Sequence, residues 1–238
     1  MSQSPPADLP DAATAPPSAP APRQRRKQAR PHELLAAALT LFGEKGFAAT
    51  RIEEVAALAG VSKGTLYLYY PSKEALLKAV IREHLGQLLD AGENLVATFD
   101  GPTSQLLSVL LHTWWDRVGN TPASAIHKIM LSEARNFPEI AAFYNDEVTR
   151  PAQRLLASCL QRGIDRGEFR ALPVQPTAMN LLAPVIFLML HKHSFGACSQ
   201  SQQIVDPAAV IATQIDLVLH GLLLQGDSAT TPVAPPAS

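Results

Sequence analysis

The sequence predicts an all-α protein with a small N-terminal helical domain and a larger C-terminal one. Apolar residues recur at helical spacing in nearly every segment from residue 31 to residue 226. No run alternates strictly between apolar and polar, and no Asn-Gly or Asp-Gly hairpin signal joins two such runs. Helix stops recur along the chain, at Gly46, Gly60, Pro71, Gly101-Pro102, Thr121-Pro122, Phe137-Pro138, Gly167 and Asp206-Pro207. Together they divide it into about nine helices.

Residues 1–22 are rich in Pro, Ala and Ser and carry no apolar face, so they read as a disordered tail. The basic run Arg23–Arg30 completes this tail as an arm. Pro31 suits a first helical position, and Leu34, Leu35, Ala38, Leu41 and Phe42 mark one face of the first helix, which Lys45-Gly46 ends. Thr50-Arg-Ile-Glu53 reads as a capping box that starts the second helix, with Ile52, Val55, Ala56 and Ala59 inward. Gly60 breaks it, Val61 plugs the turn, and Ser62 caps a short third helix that Pro71 stops. Ser72 caps a long fourth helix with Leu76, Leu77, Val80, His84, Leu88 and Leu95 on one side.

Two short helices joined by a tight glycine turn, with a third helix packed across them, form the helix-turn-helix arrangement. The small Ala56 and Ala57 permit close approach. Leu66 and Tyr70 hold the third helix to the domain. Its first residues, Ser62, Lys63, Gly64 and Thr65, are short or polar and lie where free backbone amides and positive dipole suit a phosphate or a base edge.

The run Thr50-Arg-Ile-Glu-Glu-Val-Ala-Ala-Leu-Ala-Gly-Val-Ser-Lys-Gly-Thr-Leu-Tyr-Leu-Tyr-Tyr-Pro-Ser-Lys-Glu-Ala-Leu-Leu77 resembles the DNA-binding domain of the TetR family of bacterial transcriptional regulators. The resemblance extends back through Leu41–Phe47 and covers residues 32–80. Glu133–Glu139 is similar to a segment found in a subset of these regulators. The resemblance implies phosphate contacts at Thr50, Arg51, Tyr69 and Lys73, and base or phosphate contacts at Ser62, Lys63, Gly64, Thr65 and Tyr67. The family commonly has an aromatic residue where Leu68 stands and a histidine where Tyr69 stands. Leu68 cannot donate a hydrogen bond, whereas Tyr69 keeps a hydroxyl.

Charge is distributed accordingly. The chain as a whole carries −1, yet residues 1–80 hold ten Lys/Arg against seven Asp/Glu, a net +3, and the remainder is −4. Further helices are expected near 103–118, 122–136, 138–166, 174–195 and 207–225. Trp114, Trp115, His127 and Met130 are candidate lining for a ligand pocket. The last two helices are apolar nearly all round, which one small domain cannot cover. The resemblance implies that they pair with the same helices of a second subunit as a four-helix bundle. Val185, Leu188, Ile215, Leu219, Leu222 and Leu223 are the candidate interface.

Several function classes are disfavoured. Two cysteines, Cys159 and Cys198, exclude a disulfide scaffold and a four-cysteine zinc site, and suit a reducing cytoplasm. His191 and His193 are two apart on a helix and do not converge on a metal. The longest apolar stretch, Met179–Leu190, is 12 residues with Pro184 inside, short of the roughly 20 that span a membrane. No phosphate-cradling glycine loop, Gly-x-Ser-x-Gly or His-Glu-x-x-His motif is present. The expectation is therefore a DNA-binding domain at 31–80 and a ligand-binding and dimerisation domain at 81–226, with a disordered tail at 227–238. The expected function is a cytoplasmic, homodimeric repressor without a cofactor, released from a palindromic operator on double-stranded DNA by a small-molecule effector. The alternative is an all-helical interaction protein or an enzyme that keeps an unused helix-turn-helix.

Overall fold

The computed structural model describes residues 22–194, 196 and 206–223, with side chains from residue 31 onward. Of the tail expected at 1–30, residues 1–21 lie outside the described residues and 22–30 are helical instead; the tail expected at 227–238, Cys198 and the last expected helical residues beyond 223 also lie outside them.

Helix α1 (Pro22–Lys45) begins nine residues before Pro31, the expected start. The run before Pro31 is rich in Arg, Gln, Lys and Ala, which are strong helix formers, so the rod extends past the proline. Side chains begin to be buried at Leu34 and Leu35 and continue through Ala38, Leu41 and Phe42, the face expected from the sequence. Gly46 at φ +85° turns the chain out of α1.

Helix α2 (Ile52–Leu58) starts one residue later than expected, and the expected capping box is shifted with it. Arg51, not Thr50, is the capping residue, and its amide donates to Glu54 Oε2 at 3.0 Å. Thr50 is buried instead, donating its hydroxyl to the Gly46 and Leu41 carbonyls at 2.7 and 3.1 Å. Those carbonyls, in the last turns of α1 and just after it, claim the hydroxyl before an α2 amide can. Helices α3 (Lys63–Tyr69) and α4 (Lys73–Ile81) follow, capped by Ser62 and Ser72 as expected.

A wide π-type turn, Arg82–Gly86, joins α4 to α5 (Gln87–Thr98) without a break. Helix α6 (Thr103–Trp114) likewise ends in a π turn, Trp115–Gly119. Helix α7 (Ala125–Glu133) precedes α8 (Pro138–Tyr144), which a third π turn, Asn145–Thr149, joins to α9 (Arg150–Asp165). The last two are α10 (Val174–His193) and α11 (Pro207–Leu222). Counting α4–α5 and α8–α9 as single rods gives nine among the described residues, and their only pairing of β type is an isolated bridge between Phe169 and Leu223.

The C-terminal core centres on α9, whose Leu155, Leu156, Cys159 and Leu160 are buried between α5, α6 and α10. Burial pushes the Cys159 thiol up to about 12, so it is a packing group and not a nucleophile. Arg162 fastens this core to the α5–α6 corner, donating to Phe99 O at 2.8 Å, Gly101 O at 3.1 Å and Thr103 Oγ1 at 2.8 Å.

The two apolar helices differ from expectation in where their apolar faces go. Val185, Leu188, Ile215 and Leu222, expected at a subunit interface, are buried within this chain. Leu219 is half-buried and Leu223 is exposed. Helix α10 packs on α9 and α7, and its Val185 and Leu188 are thereby taken up within the subunit. The uncovered apolar side chains are Met179 and Phe187 on α10 and Leu217 on α11. Measured by length and composition, α10 could cross a membrane, beyond the limit set by its longest apolar stretch; its Ala178, Leu181 and Met189 are nonetheless core residues.

Candidate nucleic-acid interface and ligand cavity

The turn between α2 and α3 is closed by Gly60 at φ +66°, which favours glycine, and by Val61 N donating to Ala56 O at 2.9 Å. Leu66 is fully buried and pins α3 on its inner side. Ser62 Oγ accepts from Thr65 N at 3.1 Å and lies 2.9 Å from Thr65 Oγ1. Both hydroxyls are therefore held in fixed positions at the start of α3. Ser62, Lys63, Gly64, Tyr67 and Leu68 face solvent, Leu68 at 83% exposure. A Cβ on Gly64 would meet nothing closer than Ser62 Oγ at 3.8 Å, so nothing in the chain itself demands glycine there.

Lys63 pairs with Glu53 at 2.5 Å across the α2–α3 surface and lies 5.7 Å from the Tyr67 ring centroid. The hydrogen bond to Lys63 holds the Glu53 carboxyl below the usual carboxylate range and, reciprocally, raises Lys63. Arg51 is exposed beside them. Tyr69 is half-buried against Tyr70, at 6.5 Å between centroids.

Two residues named from the family resemblance are placed otherwise. The Thr50 hydroxyl is committed to the end of α1. Lys73 turns inward and donates to the carbonyls of Phe47, Ala48 and Thr50 at 2.8, 3.0 and 3.0 Å. An ammonium has three donors, and all three are used on this loop.

In the C-terminal half, an inner cavity of about 220 Å³ lies among α5, α6, α9 and α10, lined by Leu89, Gly92, Leu111, Trp114, Leu156 and Leu182 among others. An outer cavity of about 580 Å³ opens between α7, α8, α9 and α10. Trp114, Ala152 and Leu182 border both. His127 and Met130 line the outer cavity with Trp114, so three of the four expected pocket residues meet there. Trp115 does not. It is buried on the other side of α6 against Gly119, where a Cβ would collide with its indole ring.

His127 stands edge-on between Trp114 and Tyr144, 6.2 Å from each by ring centroid. Burial pushes His127 down to about 4; the Ser124 backbone opposes the shift without completing a hydrogen bond to Nδ1, and His193 adds to it. Burial also raises the Tyr144 phenol. His127 Nδ1 and Trp114 Nε1 are buried without a hydrogen-bond partner. Tyr144 escaped the sequence reading because it sits 17 residues from His127 on a different helix.

The cavity walls reach the helix-turn-helix domain directly. Helix α7 packs on α1, with Ala125 Cβ 3.2 Å from where a Gly43 Cβ would be. Glu133 accepts from Ala48 N at 3.3 Å, and Phe137 meets Phe47 edge-on at 4.9 Å. From the α8 side, Glu147 takes two hydrogen bonds from Arg82, at 2.8 and 3.2 Å, while Arg82 and Lys78 lie over the Phe143 ring.

A helix-turn-helix with an exposed α3, coupled to a helical domain that encloses an apolar cavity, defines a DNA-binding regulator with a ligand-binding half. The comparisons with known proteins agree. A model described as bacterial regulatory proteins, tetR family, matches residues 34–80, and one described as the C-terminal domain of AefR-like transcriptional repressors matches residues 105–220. The chain is 31% identical over 148 residues to the transcriptional repressor KstR2 of Rhodococcus jostii, covering 61% of this chain and 70% of that one. It is 51% identical over 63 residues to the transcriptional regulator RutR of Escherichia coli, which covers 26% of this chain and 30% of RutR. A transcriptional regulator from Saccharomonospora viridis in complex with choline superposes with a TM-score of 0.69 at 20% identity, covering 84% of this chain and all of that one. The protein belongs to the TetR family of transcriptional regulators, whose members bind DNA and small ligands and act as dimers; it is not a class of enzymes.

Proposed function

We propose that the protein is a homodimeric repressor of the bacterial cytoplasm, released from a palindromic operator by a small-molecule effector held in the two cavities. The observation that carries the DNA half is the surface of α3. Ser62 and Thr65 are fixed by their mutual hydrogen bonds, Lys63 and Tyr67 are exposed, and Gly64 has no role inside the chain. Ser62, Lys63, Gly64, Thr65 and Tyr67 are assigned to bases and phosphates, with Arg51 and Tyr69 on the flanking phosphates. Lys73 serves this surface indirectly, by fixing the loop that leads into α2. The repressor role follows the name of the relative KstR2.

The DNA-binding domain runs from α1 to residue 80, and the effector and dimer domain spans 81–226. Residue 80 falls inside the continuous α4–α5 rod, so the two halves share a helix. The proposed dimer face is the uncovered apolar strip of α10 with Leu217 of α11. Dimerisation places two α3 helices for adjacent major grooves. Effector in the cavity moves α7 and α8 against the Phe47–Phe137 and Arg82–Glu147 contacts and shifts the population to a spacing that no longer fits. Selecting and sequencing genomic fragments retained by the purified protein tests the reading. A few fragments sharing an inverted repeat are expected; retention of random sequence overturns it.

A further inference from the structure

The outer cavity has a buried floor and an exposed rim. Met130, Val148 and Ala152 line it and are buried. Leu131 on α7 and Met179, Ala183 and Phe187 on α10 line the same cavity and are exposed. The three on α10 follow one another at i, i+4 and i+8, so they form a single stripe along that helix. Met179 and Phe187 are also the apolar strip proposed above to meet a second subunit. No residue that lines the cavity is Asp, Glu, Lys or Arg, and burial keeps His127 uncharged at neutral pH. A hydrocarbon molecule held here rests on apolar groups below and, in a lone subunit, faces water above.

The chemistry around the mouth suits a second copy of the chain as its cover. From Val174 to Leu190, α10 has no Asp, Glu, Lys or Arg, and α11, which packs beside it, has only Asp216. Two-fold pairing of these helices sets apolar surface against its like without burying an unpaired charge. Within one chain only 28% of the most apolar window of α10 is buried, so the helix keeps surface for such a contact. Members of the family act as dimers. We infer that a second copy of this chain closes the mouth of the outer cavity, so that the site for an uncharged apolar ligand is complete only in the dimer, and ligand binding and dimerisation strengthen one another. The inference rests on the dimer face and the effector cavity of the proposed function. Linkage makes the effect reciprocal: the factor that dimerisation adds to ligand affinity is the factor that each bound ligand adds to the dimer. Roughly 55 Å² of apolar ligand surface left in water by the lone subunit corresponds to about tenfold in affinity.

The test uses N-phenyl-1-naphthylamine, an uncharged apolar probe that fluoresces strongly out of water. Full-length protein is titrated with it at concentrations above and below the dimer constant, and sedimentation reads that constant with and without the probe. Affinity should be about tenfold weaker below the dimer constant, and saturating probe should tighten the dimer about a hundredfold, tenfold for each of two sites. Leu217 is not among the residues that line the cavity, so Leu217→Glu should give a monomer with wild-type circular dichroism and the weaker affinity at every concentration. Ala141→Phe adds bulk to the α8 wall of the cavity and should weaken the probe in the dimer; no change there puts the probe elsewhere and overturns the inference. Equal or tighter binding by the monomer also overturns it, as does a dimer constant indifferent to the probe, and either result leaves the dimer face standing. Failure of the probe to bind the wild-type dimer overturns it too. If Leu217→Glu stays dimeric while wild type shows the linkage, the inference stands and the place of Leu217 in the dimer face falls. If the linkage holds but the probe leaves operator DNA bound in a gel shift, the inference stands and the effector reading falls.

Discussion

Lys73 holds its ammonium 2.8 Å from the Phe47 carbonyl and 4.6 Å from the centroid of the Phe47 ring. One side chain thus ties the start of α4 to the loop between α1 and α2 by hydrogen bonds and a cation–π contact together. Removing it leaves three carbonyls short of a donor, at about 1.5–3 kcal/mol for hydrogen bonds to a charged group. Lys73→Ala is expected to lower the thermal midpoint by several degrees. The slope of log K against log salt for DNA should stay as in wild type, because Lys73 gives no donor to phosphate. Thermal denaturation and titrations at several salt concentrations check both parts.

Gly64 separates fold from recognition. Gly64→Leu places its Cβ in ordinary contact with Ser62 and improves helix propensity, so the melting temperature should hold or rise. DNA affinity should fall about tenfold or more, roughly 1.4 kcal/mol, as the new side chain holds the duplex away. Fluorescence anisotropy with the selected operator measures this.

The Lys63–Glu53 pair sets a competition on the DNA-facing surface. Phosphate must displace, or share, the carboxylate that already neutralises Lys63. Glu53→Gln is expected to raise affinity for both operator and random DNA. Lys63→Ala should lower the magnitude of the salt slope by about 0.9. Opposite signs for the two variants, read by filter binding, are the expected pattern.

Burying His127 links stability to pH. Its folded value is about 4, below an unfolded value near 6.5, so between these the unfolded chain binds more protons. Stability should therefore fall as pH drops from about 6.5 to 4 and level off below. His127→Leu removes this contribution, so its urea midpoint should change less between pH 7 and pH 5 than that of wild type.

Assembly is tested by charge on the uncovered face. Leu217 and Phe187 are 68% and 60% exposed, so Leu217→Glu with Phe187→Glu should leave the subunit folded yet monomeric by sedimentation, with operator affinity lost. Val185→Glu should instead unfold the subunit, because a buried unpaired charge costs several kcal/mol.

The helix-turn-helix was legible because its residues act locally. Gly60, Val61, Ser62 and Leu66 do what spacing and chemistry require of them within one or two turns of helix. Nine rods were legible because Gly and Pro punctuate them. What the sequence could not convey was competition between distant groups. Thr50 and Lys73 both look like DNA contacts, but carbonyls at the end of α1 and in its following loop claim their donors. Likewise, an apolar helix announces that it is covered on several sides without saying by what, and Val185 and Leu188 are covered by α9 and α7 of the same chain. The cavity depended on Trp114, His127 and Tyr144 meeting from three helices, which only tertiary packing decides.

The unbroken rod from Lys73 through the π turn to Thr98 has one end at the DNA domain and the other in the wall of the inner cavity, where Leu88, Leu89, Gly92 and Leu95 lie. At 1.5 Å per residue, about 22 Å separate Leu88 from Lys73. Tilting that lever by about 5° about Arg82, some 13 Å from Lys73, displaces the Lys73 end by roughly 1 Å. Arg82, about midway along it, is where Glu147 holds the rod to α8 and α9, and so it lies where a fulcrum would. A molecule that spreads α5 from α9 is thereby felt at the groove as a displacement of similar size, with no residue in the recognition helix touched.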